Sequence, residues 1–179
     1  TSGKRAHSAR SWLGENAIHN LNAILETLNS YEPAKVLIDG LEYREGLNAV
    51  AISGGVAGNI IPDHALVDVN YRYAPNKSGA EAEQHIRDTF KGFSVTFTDN
   101  APGAMPGLDR AALADLVSRV EGQVAPKFGW TDVARFSAMG VPAVNLGPGD
   151  PGLAHSRNEF VPVSQLRKCE ETVFSWLRG

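Results

Sequence analysis

Two stretches of the chain alternate between apolar and polar side chains, which is the pattern of a strand with one buried face. Residues 65–73 are the clearest case, because Val67, Val69 and Tyr71 are separated by polar residues. Residues 47–53 are mostly apolar and lead into the glycine-rich stretch 54–59, which predicts a second strand followed by a loop. A weaker alternation over 93–97 predicts a further strand.

Apolar residues at helical spacing predict two helices in the same half of the chain. The first helix is predicted over 15–30, and its apolar stripe is formed by Ile18, Leu21, Leu25 and Leu28. The second is predicted to begin at Ser78 and Glu81, which have the spacing of a capping box. It places three apolar residues on one face: Ala82, Ile86 and Phe90.

The predicted order over residues 1–100 is strand, helix, strand, strand, helix, strand, if a strand remnant opens the chain. This is the ferredoxin-like βαββαβ arrangement, so the predicted fold class is α/β, of the α+β kind in this half. The chain opens with Thr1, Ser2 and Gly3 rather than Met. We therefore expect the first strand to begin before Thr1 and a further segment to precede it; a trimmed N-terminus is the alternative.

The pattern changes after a linker of glycine, alanine and proline at 101–107. Asp109 is predicted to cap a helix, a short strand is predicted at 143–146, and the chain is predicted to end in a helix that carries Leu166, Val173 and Leu177. Because this half is small and has two predicted helices and little strand, we expect it to need staples or a partner segment to form a core. The predicted domains are therefore 1–100 and 101–179.

Composition narrows the class of protein. Hydrophobic residues make up 42% and charged residues 21% of the chain, and the net charge is -3, as in ordinary globular domains. The basic residues are scattered, so neither nucleic acid nor a membrane surface is predicted as a partner. Cys169 is the single cysteine, which excludes an intrachain disulfide and favours a cytoplasmic location. No apolar run approaches the roughly 18 residues of a membrane helix.

Two of the five histidines have unusual neighbours. His155 follows a turn rich in glycine and proline, where α/β proteins place ligands, although a surface histidine explains it as well. His7 lies among arginines and serines, which is also what a solvated polar turn contains. No Gly-x-Ser-x-Gly motif and no phosphate-binding loop occurs, so catalysis by a serine or cysteine nucleophile is disfavoured.

Three polar residues are candidates for binding an anionic substrate. Arg72 lies on the polar face of a predicted strand, where it is placed to bind a carboxylate through two hydrogen bonds. An ion pair with Asp68 is an equally good interpretation. Thr131 and Arg135 follow Gly129 and Trp130, and they suit either anion binding or the start of a short helix.

Several segments together resemble the M20 family of metallopeptidases and amidohydrolases. These are the runs 6–19, 58–62, 70–72, 130–136 and 141–159, which contain Ala-His-Ser, Asn-Ile-Ile-Pro, Asn-Tyr-Arg, Trp-Thr-Asp and Ala-His-x-x-Asn-Glu. Within the family the runs 5–14 and 127–132 are most similar to succinyl-diaminopimelate desuccinylases of actinobacterial type. Two departures occur: Gly58 stands where relatives can have asparagine, and one extra residue separates Asp132 from Arg135.

The resemblance implies a lid or dimerisation domain at 1–100 and, at 101–179, the C-terminal segment of a zinc-exopeptidase-type α/β catalytic domain. It implies that His155 is a zinc ligand and that His7 reaches the partner subunit's site in a homodimer, where it stabilises the oxyanion. It further implies that substrate is bound by Arg72, Arg135, Thr131 and Asn59. The segment with the remaining ligands and the glutamate base is expected to lie outside this chain.

The implied chemistry is cleavage of N-succinyl-L,L-diaminopimelate to succinate and L,L-diaminopimelate, a step in lysine and cell-wall precursor synthesis. Two zinc ions would activate the attacking water, with at most a partial zinc site in this chain, so the chain alone is expected to be inactive. Two alternatives stay open. The enzyme could hydrolyse another N-acyl amino acid or a peptide, or the chain could be a dimerisation module without catalytic activity.

Overall fold

The computed structural model describes residues 1–108, 110–120 and 124–179. The chain divides into two compact units, the first formed by Thr1–Val36 and Glu42–Gly103 and the second by Leu37–Leu41 and Ala104–Gly179. The strands are β1 (Ala6–His7), β2 (Lys35–Ile38), β3 (Leu41–Arg44), β4 (Gly46–Gly54), β5 (Ile60–Ile61) and β6 (Ala65–Arg72). The α-helices are α1 (Asn22–Asn29), α2 (Gly79–Thr89), α3 (Ala111–Arg119), α4 (Val133–Ala138) and α5 (Val163–Arg178). This mixture confirms the predicted α/β class.

The long antiparallel ladder between β4 and β6 is the centre of the first unit. Its register pairs Gly46 with Arg72 at one end and Gly54 with Ala65 at the other. The register shifts between Ala49 and Ala51, so Val50 is the extra residue of a β-bulge. Both strands were predicted from their apolar and polar patterns, and the structure confirms them.

Helices α1 and α2 supply the apolar face that packs on this ladder. The buried cluster combines residues of both helices with residues of both strands, and the alternate residues of β6 pack against it because side chains two apart share a face. The capping box at the start of α2 is confirmed: Ser78 accepts from the Glu81 backbone, and the Glu81 side chain accepts from the Ser78 backbone. The cluster comprises Ala17, Leu21, Ile24, Leu47, Ala65, Ile86 and Phe90.

The first helix begins later than predicted. Residues 15–17 are held outside the helix by two backbone contacts. Glu15 forms an isolated antiparallel β-bridge with Lys4, and the Ala17 amide donates to the Pro62 carbonyl at 2.9 Å. The Asn16 side chain then accepts from the Ile18 amide at 2.9 Å and caps the turn that follows. As a result Ile18, predicted on the buried stripe, is 40% exposed.

A hairpin that was not predicted joins β2 to β3. Its turn is Asp39-Gly40, and both residues have positive φ, 50° and 78°. Asp-Gly between apolar residues is a strong hairpin signal, because such a two-residue turn needs positive φ at both positions. The sequence therefore contained the information for this element.

Two predicted strands are not formed in the described chain. Residues 93–97 and 143–146 form no strand, because a strand exists only where a neighbouring strand completes its hydrogen bonds. The alternation at Phe93, Val95 and Phe97 was nevertheless informative, since all three side chains are half-buried against the core of the first unit.

Residues 104–179 of the second unit contain the helices α3, α4 and α5 and present much apolar surface. Arg119 of α3 donates a hydrogen bond to Ser175 of α5, and Leu113 and Leu116 of α3 are buried. In contrast, Val163 and Leu177 of the predicted terminal helix α5 are 64% and 69% exposed. Asp109, the predicted cap of α3, lies outside the described residues. Across the described part of the chain, no helix is long and apolar enough to span a membrane.

Candidate functional site

The short ladder between β1 and β5 brings His7 and Asn59 together. His7 pairs with Ile60 in the register, and the Asn59 carbonyl accepts a hydrogen bond from the Ser8 amide at 2.9 Å. The two candidates lie 52 positions apart, and the sequence contains no local sign of their proximity. Both side chains are exposed, so they are accessible to a ligand or to a second subunit.

The His7 ring has a defined hydrogen-bonding role. Its Nδ1 accepts the Ala9 backbone N–H at 3.1 Å, which makes His7 the N-cap of the 3-10 helix Ser8–Leu13. A backbone N–H can only donate, so Nδ1 must be unprotonated, and the neutral ring then carries its proton on Nε2. In this tautomer the Nε2–H is the one hydrogen-bond donor of the His7 ring.

The segment that leads into His7 is tied to the residues before β6. The Gly3 amide donates to the Asp63 carbonyl at 2.9 Å, and the Arg5 guanidinium binds the Asp63 carboxylate at 2.8 Å. Hydrogen bonding and charge from Arg5 lower the pKa of Asp63 below its ordinary value. The backbone of His7 is thus held by contacts before it, at Gly3 and Arg5, and after it, at Ser8.

Arg72 is the last residue of β6 and is exposed. The alternative ion pair with Asp68 does not form among the described residues, for a geometric reason: four positions along a strand are about 13 Å apart. The N-terminal Thr1 amine donates to the Ala65 carbonyl at 2.8 Å, at the other end of β6. Arg72 is therefore about 23 Å along the strand from that end. The segment that carries His7 pairs with residues before Ala65 and so lies beyond that end of β6, farther still from Arg72.

Thr131 and Arg135 lie together around the start of α4. The Thr131 hydroxyl accepts a hydrogen bond from the side-chain amide of Asn145 at 3.1 Å. Arg135 pairs with Asp132 at 3.4 Å and lies over the Trp130 ring, 5.5 Å from its centroid. Asp132 is the N-cap residue of α4 but makes no side-chain cap. Because the ion pair is exposed, it contributes little stability, and a substrate carboxylate could replace Asp132.

His155 has a strained backbone of the kind that functional sites often contain. Its φ is 65°, a region that residues with side chains rarely adopt. The Glu159 carboxylate accepts the His155 backbone N–H at 3.0 Å and supports this conformation. In the part of the chain that the structure describes, no three His, Cys, Asp or Glu residues are grouped to hold a metal. His155 supplies one imidazole and no more.

A small cleft in the second unit contains none of these candidates. Its volume is about 60 Å³, and it is lined by Met105, Pro106, Arg110, Val141 and neighbouring residues. Sites for small organic ligands usually measure several hundred Å³. We therefore assign no substrate to this cleft.

A buried polar network that the sequence did not predict lies next to Arg72. The Glu45 carboxylate accepts hydrogen bonds from the Tyr71 hydroxyl at 2.7 Å, the Ala74 amide at 3.0 Å and the Lys77 ammonium at 3.1 Å. Burial favours the neutral acid, but these hydrogen bonds and the Lys77 charge outweigh it and hold the pKa of Glu45 below its ordinary value. Burial and the neighbouring Glu45 raise the pKa of Tyr71.

Comparison with known proteins gives a consistent picture. Residues 1–95 match the M20 family described as the peptidase dimerisation domain. A Mycobacterium tuberculosis protein, provisionally named a succinyl-diaminopimelate desuccinylase, is 55% identical over 99% of this chain and 51% of its own length. The succinyl-diaminopimelate desuccinylase of Corynebacterium glutamicum is 49% identical over 92% of this chain and 46% of its own length. The chain thus spans about half the length of these relatives.

More distant relatives carry other names. An N-acetyl-L-citrulline deacetylase of Xanthomonas campestris is 29% identical over 79% of this chain and 40% of its own length. Among solved structures, a tripeptidase from Staphylococcus aureus has a TM-score of 0.68 at 20% identity, covering 99% of this chain and 48% of its own. At that identity the likeness is one of fold.

Proposed function

Because the chain belongs to the M20 peptidase family, whose dimerisation domain it matches over residues 1–95, we propose that it is part of a zinc-dependent desuccinylase. The reaction is hydrolysis of N-succinyl-L,L-diaminopimelate to succinate and L,L-diaminopimelate, in lysine and cell-wall precursor synthesis. The observation that carries the proposal is the 55% and 49% identity to two proteins of that name over nearly the whole chain. We assign residues 1–100 to the lid domain and 101–179 to the catalytic segment.

His7 is proposed to stabilise the oxyanion. Hydrolysis of an amide places negative charge on the former carbonyl oxygen, and a hydrogen-bond donor aimed at that oxygen lowers the barrier. The Ala9 amide occupies Nδ1 of His7, which leaves the Nε2–H as the donor. Since the domain is one for dimerisation, we propose that His7 acts in the partner subunit's site.

Two arginines and two polar residues are proposed to bind the substrate. The substrate carries several carboxylates, and guanidinium groups bind carboxylates with two parallel hydrogen bonds. Arg72 has no carboxylate partner among the described residues, and Arg135 has one that is exposed and replaceable. The Thr131 hydroxyl and the exposed side-chain amide of Asn59 are proposed to orient the substrate further. Thr131 lies near Arg135, and Asn59 lies near His7.

Zinc requires ligands beyond those that the described residues supply. A catalytic zinc ion is bound by about three protein ligands, and the described part of the chain gathers no such group. These residues alone therefore do not fit a zinc site, and His155 is proposed as one ligand of a site completed by another segment. We expect this chain alone to be inactive for the same reason.

The proposed homodimer has a candidate surface on β4. This nine-residue strand pairs with β6 on one side, and its other edge has no strand partner among the described residues. Val50 and Ile52 are 65% and 54% exposed on it. A long edge strand with exposed apolar side chains is a surface that proteins ordinarily cover, and a second copy of the same strand would cover it.

A chimera tests the function. This chain replaces the matching 46% of the Corynebacterium glutamicum desuccinylase, and hydrolysis of N-succinyl-L,L-diaminopimelate is measured beside the chain alone. We expect activity in the chimera and none in the isolated chain. A dimeric but inactive chimera would favour the dimerisation module. Hydrolysis of N-acetyl-citrulline or a peptide in preference to the succinylated compound would favour the other family activities.

A further inference from the structure

Glu45 is an unusual residue for the first unit, because its carboxylate is almost completely buried. The side chain is 1% exposed, and it lies between the end of β3 and the start of β4. A buried carboxylate is costly unless several donors compensate it. Here the Tyr71 hydroxyl, the Ala74 amide and the Lys77 ammonium all donate to it.

These donors lie on both sides of Arg72 along the chain. Tyr71 precedes it, Ala74 follows it by two positions, and the ladder pairs Arg72 itself with Gly46, the residue after Glu45. The one carboxylate therefore holds the chain before and after Arg72 as well as its cross-strand neighbour. Successive side chains of a strand point to opposite faces, so the anchored Tyr71 and the exposed Arg72 project away from each other.

A second layer of contacts keeps the Tyr71 side of this arrangement rigid. The Tyr71 ring stacks on the His85 ring of α2, with centroids 5.1 Å apart. The Tyr31 hydroxyl shares a hydrogen bond with His85 Nε2 at 2.8 Å. The Lys77 ammonium also donates to the Tyr71 hydroxyl at 2.7 Å. The end of β6 is thus joined to α2 and to the turn before it.

We propose that Glu45 is the positioning residue for Arg72, and that its carboxylate fixes the direction in which the Arg72 guanidinium meets a substrate carboxylate. The inference rests on the proposed function, which makes Arg72 a substrate ligand. An arginine that binds a carboxylate through two hydrogen bonds needs its backbone held in one orientation. Glu45 meets that need although it lies on the opposite side of the strand.

A solely structural role for Glu45 makes a different prediction. If the network only stabilised the unit, its loss would loosen the whole β4–β6 ladder evenly. If the network positions Arg72, its removal should reduce protection of the backbone amides from hydrogen exchange most at residues 71–74 and least at Val67, near the other end of β6. The two roles are therefore separable by measurements at single residues.

The test on the chain itself is amide hydrogen exchange by NMR. Glu45→Gln and Tyr71→Phe are compared with Glu42→Gln, which alters an exposed carboxylate that pairs with Arg44 at 2.7 Å. We expect Glu45→Gln to speed exchange at Ala74 by at least about tenfold and to increase the mobility of the Arg72 Nε–H. Tyr71→Phe removes one donor to Glu45 and one acceptor for Lys77 but keeps the buried carboxylate, so it should act at the same residues less strongly. Glu42→Gln should change neither.

The kinetic test uses the active chimera and a double-mutant cycle. Glu45→Gln is expected to raise KM for N-succinyl-L,L-diaminopimelate by about fivefold or more with a smaller change in kcat, and to add nothing in an Arg72→Ala background. An effect of Glu45→Gln that is equal in the wild-type and Arg72→Ala backgrounds would overturn the proposal. So would uniform loosening of the whole β4–β6 ladder in both Glu45→Gln and Tyr71→Phe. If the unmodified chimera is inactive, the desuccinylase function fails, whereas the exchange measurements still decide whether Glu45 positions Arg72.

Discussion

Replacement of Glu45 by glutamine tests the stability of the buried network. Glutamine has nearly the same shape but only one acceptor oxygen, and its amide group would face donors. At least one charge-assisted hydrogen bond is lost, which costs about 1.5–3 kcal/mol. Lys77 also loses its ion pair. Its side chain is 26% exposed and can turn towards water, so the added cost stays below the roughly 3–5 kcal/mol of breaking a fully buried pair. We expect a total loss of about 2–4 kcal/mol.

The pH dependence gives this prediction a sign. The pKa of Glu45 is lower in the folded chain than in the unfolded chain, where it is about 4.3. Folding is therefore favoured by the ionised form, and the stabilisation is complete above the unfolded pKa. It is lost as the pH falls through the lower, folded pKa. The difference between wild type and Glu45→Gln should thus be full at pH 7 and shrink below about pH 4.

Hydrogen exchange of the β6 amides in urea measures this free energy for the first unit alone, which matters because the chain has two units. Glu42→Gln is the matched control, since the Glu42 carboxylate is exposed. A loss below about 0.5 kcal/mol at pH 7 would refute the reasoning. So would a loss that stays constant from pH 7 to pH 3, because it would show that the charge of Glu45 is not involved.

The other predictions concern the cap, the site, the dimer and the metal. Ser78→Ala should destabilise the first unit by about 1 kcal/mol, because the capping box loses its acceptor. A loss of only a few tenths of a kcal/mol in the same assay would contradict this prediction. His7→Ala should lower kcat of the active chimera by about 100-fold or more with little change in KM, whereas the exposed His19→Ala should not; equal rates would exclude the oxyanion role. Ile52→Lys should shift the chain from dimer to monomer in sedimentation analysis, while Ser53→Lys, on the other face of β4, should do so less; an unchanged dimer would place the interface elsewhere. Calorimetric titration of the chain with zinc should show weak binding, and two tightly bound ions would show that this chain contains a complete zinc site.

The candidate site was only partly readable from the sequence. The M20 resemblance selected His7, Arg72 and His155 by their neighbours in the chain. It gave no sign that Asn16 would delay the first helix or that the Ala9 amide would occupy Nδ1 of His7, because each is a choice among several hydrogen-bond partners. The strained φ of His155 is likewise set by a turn and by Glu159 together.

Local pattern was sufficient for the elements whose buried face repeats along the chain. The alternation in β6 and the capping box with its apolar stripe in α2 report burial directly, because side-chain direction has a period of about 2 in a strand and 3.6 in a helix. The absent strand at 93–97 shows the limit of such patterns: its alternating side chains do pack on the core, but a strand also needs a hydrogen-bonded neighbour, which no periodicity specifies.

Only the tertiary structure decided which distant groups share a partner. Glu45 and Tyr71 are 26 positions apart, and Glu45 and Lys77 are 32 apart; in the sequence they are an isolated acid, an apolar-face tyrosine and a turn lysine. The path of β4 beside β6 brings Tyr71 and Lys77 against the buried Glu45 carboxylate, and a buried charge must be compensated by donors. The sequence therefore determined the residues that face the core, and the packing of the chain determined which polar groups hold Arg72 in place.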